Sequence, residues 1–224
     1  KPVVVDDTAY LFFARHLSAE PLDPYGFELF WYQQPQQAME ILLPPVLPYW
    51  LSAGIVLFGE NIVILKCWLL PLAWIYCASI WNLLREFAPN YQFEGSGLAV
   101  FSPAPLGMFN FMLDSPALAL GLAAISMSLR ASKTGRMRYT LLASLLIALS
   151  FETKYTALVL PPIISLILLY ERSYIRIPLL LTLAICIVIL WEYLIWLHYG
   201  YSHFLYHLDS AQNIPEKANT NSFI

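Results

Sequence analysis

Charge is what this sequence has least of. Only 12% of its 224 residues are Asp, Glu, Lys or Arg, about half the share of an average soluble domain, and 59% are hydrophobic against a usual 45–50% or so. That balance excludes an ordinary soluble domain and points to a membrane protein. Cysteine is scarce too. Cys67, Cys77 and Cys186 each lie inside an apolar run, with no CxxC pair and no His at ligand spacing, so they read as small core residues. No glycine-rich nucleotide loop, GxSxG or HExxH motif occurs, which leaves a soluble nucleotide donor and a hydrolase triad without support. No internal repeat or low-complexity linker is visible. Neither a signal peptide nor a first spanning helix opens the chain, there is no initiator Met, and the carboxyl end SAQNIPEKANTNSFI stops in polar loop. The expectation is a piece of a longer chain that lacks a preceding helix and a following half.

What the sequence does hold is apolar runs: Ile41 to Gly59, Cys67 to Leu84, Leu98 to Leu113, Ser115 to Leu129, Tyr139 to Phe151, Tyr155 to Tyr170 and Ile177 to Trp191. A full crossing needs roughly 17–25 residues, so the shorter runs are extended at the interface or span only in part. The pattern predicts an all-α polytopic membrane protein with six or seven apolar segments over residues 41–198. Residues 1–40 differ, being acidic, aromatic and glutamine-bearing. Tyr10, Phe13 and Leu17 repeat at helical spacing there, as in a juxtamembrane helix lying on the bilayer. Residues 199–224 read as a second, truncated external loop.

Six of the twelve basic residues fall in two connections, Arg130, Lys133, Arg136 and Arg138 in one, Arg172 and Arg176 in the other. The positive-inside rule makes both cytoplasmic. The first forty residues carry six of the fifteen acids and two basic residues, which suits the opposite side. Asp7 and Asp114 then share the outer face, so an even number of crossings separates them, yet three apolar runs intervene. Ile41 to Gly59, with Pro44, Pro45 and Pro48, is the run expected not to cross. Asn61 to Leu84, interrupted by Pro71, is the alternative, and the sequence does not choose.

Charges in or beside the apolar runs are the candidate site, because an ionisable group there costs free energy unless it is solvated or paired. Asp6 and Asp7 head the helix-like stretch TAYLFFARHLS. One carboxylate explains a helix cap, and a second leaves room for a catalytic base or metal-coordinating acid. Asp114, in FNFMLDSPALALG, stands at the head of an apolar helix with Pro116 in its first turn, where cap and site are compatible. Lys154 lies in ALSFETKYTALVLPP, between two half-helices, where it either pairs with Glu152, snorkels to the interface, or holds a phosphate at membrane depth. The chain can break there only where its backbone lines a cavity or is buried in protein. Lys66 and Glu192 are weaker cases of the same kind. His198, His203 and His207 look like a metal cluster, with Glu40 as a further ligand, but suit interfacial packing better.

Four stretches, in order, resemble the GT-C membrane glycosyltransferases that use polyprenyl-phosphate sugars, in particular the protein O-mannosyltransferases and the bacterial aminoarabinose transferase of lipid A. They are VDDTAY, LLPPVLPYWLSAGIVLFGEN, FSPAPLGMFNFMLDSPALALGLAA and LLIALSFETKYTALVLPPIISLIL, and the resemblance runs from about residue 3 to 172. It implies a GT-C-type transmembrane helix bundle whose external first loop bears surface helices. It also implies Asp6 as catalytic carboxylate with Asp7 its companion, where many relatives carry Glu, and Asp114 as the second external acid. Lys154 and Lys66 would bind the donor phosphate, Lys66 standing where relatives often carry Arg. The implied reaction is inverting transfer at the extracytoplasmic face of the plasma (inner) membrane. An aspartate deprotonates the acceptor hydroxyl while the lipid phosphate leaves. Implied partners are a polyprenyl-phosphate-linked sugar, a protein or lipid/glycan acceptor and membrane lipid, with no nucleic acid. Relatives that hold a metal use a first-loop Glu and a later His. Glu40 is displaced from that position, so no metal is carried over, and a divalent ion stays open. A transporter or channel with ionisable residues at a broken helix remains the alternative from another class, and a non-catalytic partner of the same fold is a third.

Overall fold

Helices close their backbone hydrogen bonds within one segment, which is what uncharged apolar runs require in a membrane, and helix dominates here. The computed structural model describes residues 5–31, 34–102 and 110–210, residues 5 and 6 by their backbone alone. Helix α1 spans Val5–Ala19. It buries Phe13 and Leu17 from the expected stripe, with Ala9 and Ala14 beside them, and turns Arg15 outward to a 3.0 Å ion pair with Glu60.

The all-α expectation needs one correction. Strands β1 (Glu28–Trp31) and β2 (Gln34–Gln37) form an antiparallel hairpin in which Phe30 faces Pro35. Aromatic residues favour a pleated surface, a two-stranded sheet tolerates proline on its edges, and alternation puts Leu29 inside and leaves Phe30 exposed. The short α2 (Ala38–Ile41) leads on to α3 (Val46–Phe58). The prolines stand at the start of α3: Pro45 is its N-cap and Pro48 lies in the first turn. Its 13 residues reach only about 20 Å at 1.5 Å per residue, short of a bilayer core of about 30 Å.

Next come α4 (Ile62–Cys67), α5 (Leu70–Phe87) and α6 (Gln92–Phe101). Asn61 caps α4, its Oδ1 accepting from the amides of Val63 at 2.9 Å and Ile64 at 3.3 Å. A reciprocal clasp ties the α4–α5 break to α3. Trp50 Nε1 donates to the Trp68 carbonyl at 2.9 Å, Trp68 Nε1 donates to the Trp50 carbonyl at 2.7 Å, and the two rings stack. Only glycine fits beside them, since a Cβ on Gly54 would lie 2.7 Å from Trp68 Cδ1.

The second half packs α7 (Asp114–Thr134) against α5 and α8 (Met137–Phe151), and α8 against α10 (Arg176–Tyr199). Between α8 and α10 come a 3-10 turn at Tyr155–Val159 and α9 (Leu160–Tyr170). Their core holds Ile147, Phe151, Leu160, Ile164, Leu168 and Leu180. α7 buries mostly Ala, Gly and Ser, and small residues let helices approach closely. At Gly121 an added Cβ would stand 3.1 Å from the Leu160 methyls, and Ser150 Oγ donates to the Ala117 carbonyl at 2.8 Å. A last helix, α11, covers 203–210.

Among the described residues two helices are long and apolar enough to cross a membrane, Ile62–Phe87, which joins α4 and α5, and Arg176–Tyr199. Val46–Phe58, Met137–Phe151 and Tyr155–Tyr170 are shorter apolar helices. The expected run from Leu98 to Leu113 is not one helix: α6 ends at Phe101, Asn110 and Phe111 form a turn, and residues 103–109 lie outside the described residues.

Candidate active site

The centre of the site is a pair of opposite charges brought together from two helix ends. Asp114 is the first residue of α7; Leu113 occupies the N-cap position and no side chain caps the helix. A carboxylate in this turn meets orphan backbone donors and the positive end of the helix dipole. Lys154 stands where the chain breaks between α8 and the 3-10 turn, in extended conformation, and its ammonium pairs with Asp114 Oδ1. Lys154 is mostly covered, whereas the Asp114 side chain is 63% exposed, so the pair offers its carboxylate to whatever enters. The break at FETKY was legible in the sequence. The partner was not, because Glu152 is nearer along the chain.

Beneath the pair lies an apolar groove of about 270 Å³ between α7 and α9, lined by Asp114, Ala117, Gly121, Ile125, Ala157 and Leu160 among others. Close packing of Gly121 against Leu160 sets its floor.

Asp7 reaches beyond its own helix. It lies in the first turn of α1, fully buried, and its Oδ1 accepts the Phe111 amide at 2.9 Å. The same Phe111 presents its ring to Lys66 Nζ, 5.7 Å from the centroid, an arrangement with cation–π character. Asp7 and Lys66 therefore meet at Phe111, three residues before Asp114. A three-residue step spans at most about 11 Å, so the contacts of Asp7 and Lys66 with Phe111 lie a short stretch of chain from the Asp114–Lys154 pair. The side chain of Asp6 lies outside the described residues.

A second polar cluster joins Glu152, Glu192 and His203, which the sequence singled out one by one and did not bring together. Glu152 is buried, and both its carboxylate oxygens lack a hydrogen-bond partner among the described residues. Burial, and then the charge of Glu192, push its carboxyl up to about 9. Glu192 Oε2 accepts from Ser202 Oγ at 2.5 Å and from the Phe204 amide at 3.1 Å, fastening α11 to α10. His203, also buried, meets the Tyr155 hydroxyl through Nδ1 and the Leu42 carbonyl through Nε2 at 2.9 Å, and Tyr25 stacks on its ring. Burial, then His207, drive the imidazole down to about 3. The two glutamates stood out in otherwise apolar text, and nothing in their spacing of 40 positions showed that they share one cluster.

The histidines do not form the cluster their spacing suggested. His207 Nε2 lies 3.2 Å from His203 Nε2, and with both ring nitrogens of His203 engaged within the protein it is a poor ligand. His198 instead lies 3.3 Å from Asp23. Near it His16, Glu20 and Asp23 bring ligand atoms within 4.8 Å of one another, but His16 Nε2 already meets the Asp23 carbonyl and the Tyr199 hydroxyl donates to the Asp23 carboxylate.

Residues 43–196 match the family model for dolichyl-phosphate-mannose-protein mannosyltransferases. The chain belongs to this family. No curated protein and no solved structure matches it. Membership makes it a glycosyltransferase of mannosyltransferase type, and for such an enzyme the family implies a polyprenyl-phosphate sugar donor and a protein acceptor. Lys66, Asp114, Glu152, Lys154 and Glu192 fall inside the matched stretch; Asp6, Asp7 and His203 fall outside it.

Proposed function

We propose that this chain is a membrane glycosyltransferase with a GT-C-type helix bundle, which moves a sugar from a polyprenyl phosphate to an acceptor hydroxyl at the extracytoplasmic face. The observation that carries the reading is the Asp114–Lys154 pair at the mouth of an apolar groove, in a chain of a lipid-phosphate mannosyltransferase family. A polyprenyl phosphate is an anion on an apolar tail, and here a lysine ammonium, held by the more exposed Asp114, stands at the head of an apolar trough. In this reading the tail follows α7 and α9 while the phosphate takes Lys154 from Asp114, which has held the ammonium in place. Lys66, over the Phe111 ring, is the second phosphate contact.

The chemistry is a single displacement. The acceptor oxygen attacks C1, the bond from C1 to the phosphate oxygen breaks on the opposite face, and the acceptor proton passes to a carboxylate, for which Asp6 is the candidate. Configuration inverts. The negative charge growing on the phosphate is stabilised by the lysine ammonium, a cation already held in place by Asp114. Asp7, buried against Phe111, positions the start of α1 and with it Asp6. The test is transfer of radiolabelled mannose from polyprenyl-phosphate-mannose by the full-length protein. Asp6→Asn is expected to abolish transfer without unfolding the protein, and transfer at the unmodified rate overturns Asp6 as the base.

A further inference from the structure

The opposite end of α7 carries a charged site that the transfer reaction does not use. Asp114 and Thr134 are the first and last of the helix's 21 residues, so its last turn lies about 25–30 Å from Asp114. There the final turns of α5 and α7 enclose a pocket of about 40 Å³ lined by Asn82, Arg85, Glu86, Arg130 and Lys133, with Leu83 and Leu129 as its apolar side. Three cations face one carboxylate. Lys133 is paired with Glu86, and Arg85 Nη2 donates to Asn82 Oδ1 at 3.3 Å. Arg130 has no ion-pair partner among the described residues, so the pocket carries two uncompensated positive charges. More basic groups follow along the chain. Arg136 and Arg138 follow in the next turn, and Arg176 reaches over Gly135, its Nη2 3.5 Å from where a Cβ would be.

Two guanidinium groups beside one cavity suit a phosphate, which arginine grips through paired N–H donors. The setting identifies whose phosphate. Arg85 is in the last turn of the apolar helix Ile62–Phe87, long enough to cross a membrane, and the same helix exposes Trp74, Trp81 and Phe87. A soluble anion has no use for that flank, whereas a phospholipid lays its acyl chains along it.

We propose that Arg85 and Arg130, supported by Lys133, bind the phosphate of an anionic phospholipid headgroup between the ends of α5 and α7. Basic pockets between membrane helices hold anionic headgroups in this way, and basic residues near the bilayer surface add to the attraction. The site lies at the other end of α7 from Asp114, so the proposal stands whether or not the transfer reaction does.

The test is native mass spectrometry of the full chain released from mixed micelles containing equal phosphatidylglycerol and phosphatidylcholine. The expected result is retention of phosphatidylglycerol at least about tenfold over phosphatidylcholine, reduced towards parity by R85Q/R130Q and little changed by R136Q/R138Q. Equal retention of the two lipids by the unaltered protein overturns the proposal, and that arm needs no variant to fold. Retention unchanged in R85Q/R130Q overturns the assignment to this pocket. Displacement of the lipid by millimolar inorganic phosphate overturns the lipid as occupant.

Discussion

The ammonium of Lys154 meets the carboxylate of Asp114 across 40 positions of sequence, joining the break after α8 to the first turn of α7. Each group is at a helix end, and each is in the stretch shared with the mannosyltransferase family. A partly exposed pair of this kind contributes little to stability, about 0–1 kcal/mol. Its presence at the mouth of an apolar groove is therefore better explained by what it binds. Lys154→Met is expected to leave the thermal midpoint nearly unchanged while lowering kcat/KM for the lipid-linked donor by about 100-fold or more. Differential scanning fluorimetry beside the transfer assay separates the two effects, and a large fall in the midpoint with normal turnover contradicts a donor role.

The two adjacent acids at the head of α1 have separate roles in this reading. Asp7 is fully buried and holds the Phe111 amide, so Asp7→Ala strands a buried donor at a cost of about 1–3 kcal/mol. The variant is expected to melt earlier, and Asp7→Asn, which keeps an acceptor oxygen, is expected to recover most of the loss. Asp6→Asn is expected to do the reverse, sparing the melt and stopping transfer. Equal melting of Asp7→Ala and the unaltered protein would show that the Phe111 contact does not hold in solution.

Glu152 gives a pH signature. Its carboxyl is raised from an ordinary 4.5 to about 9 by burial and by Glu192. A raised value means the folded state favours the neutral acid, so this contribution to stability is complete below about pH 4.5 and is lost as pH rises through 9. His203 has the opposite sense: lowered from 6.5 to about 3, it favours the neutral ring, contributes above pH 6.5 and loses its contribution as pH falls towards 3. Melting temperature followed from pH 5 to 9 should fall on the alkaline side less in Glu152→Gln than in the unaltered protein. Parallel curves would mean that Glu152 ionises in the folded state as it does in the unfolded one.

The groove makes a steric prediction. Gly121 has Leu160 methyls 3.1 Å from the place of a Cβ, and Leu at this position would fill the trough. Gly121→Leu is expected to raise KM for long-chain polyprenyl donors more than for a short-chain analogue, read from initial rates with the two donors side by side. An equal change for both donors removes the tail from this groove.

What the sequence revealed depended on locality. Lys154 and Asp114 stood out because isolated charges in apolar text demand an explanation, and FETKY broke its helix as its polar residues suggested. Their pairing was hidden, since helix packing and not chain proximity decides which carboxylate a lysine meets. Glu152, two residues away, instead ends in a buried cluster with Glu192, Tyr155 and His203. The Asp7–Phe111 clasp joins residues 104 positions apart, beyond the reach of any periodicity. The hairpin at residues 28–37 was missed because four-residue strands carry too little alternation to tell from loop. Prolines near α3 were read as bending it, and they mark its start.

The most direct measurement is the initial rate of mannose transfer from radiolabelled polyprenyl-phosphate-mannose, by the full-length protein in proteoliposomes, compared with Lys154→Met at matched folded protein. The account predicts transfer by the unaltered protein and a loss of about 100-fold or more in the variant. Equal rates in the two proteins, or no transfer by the unaltered protein from a polyprenyl-phosphate sugar, would contradict it.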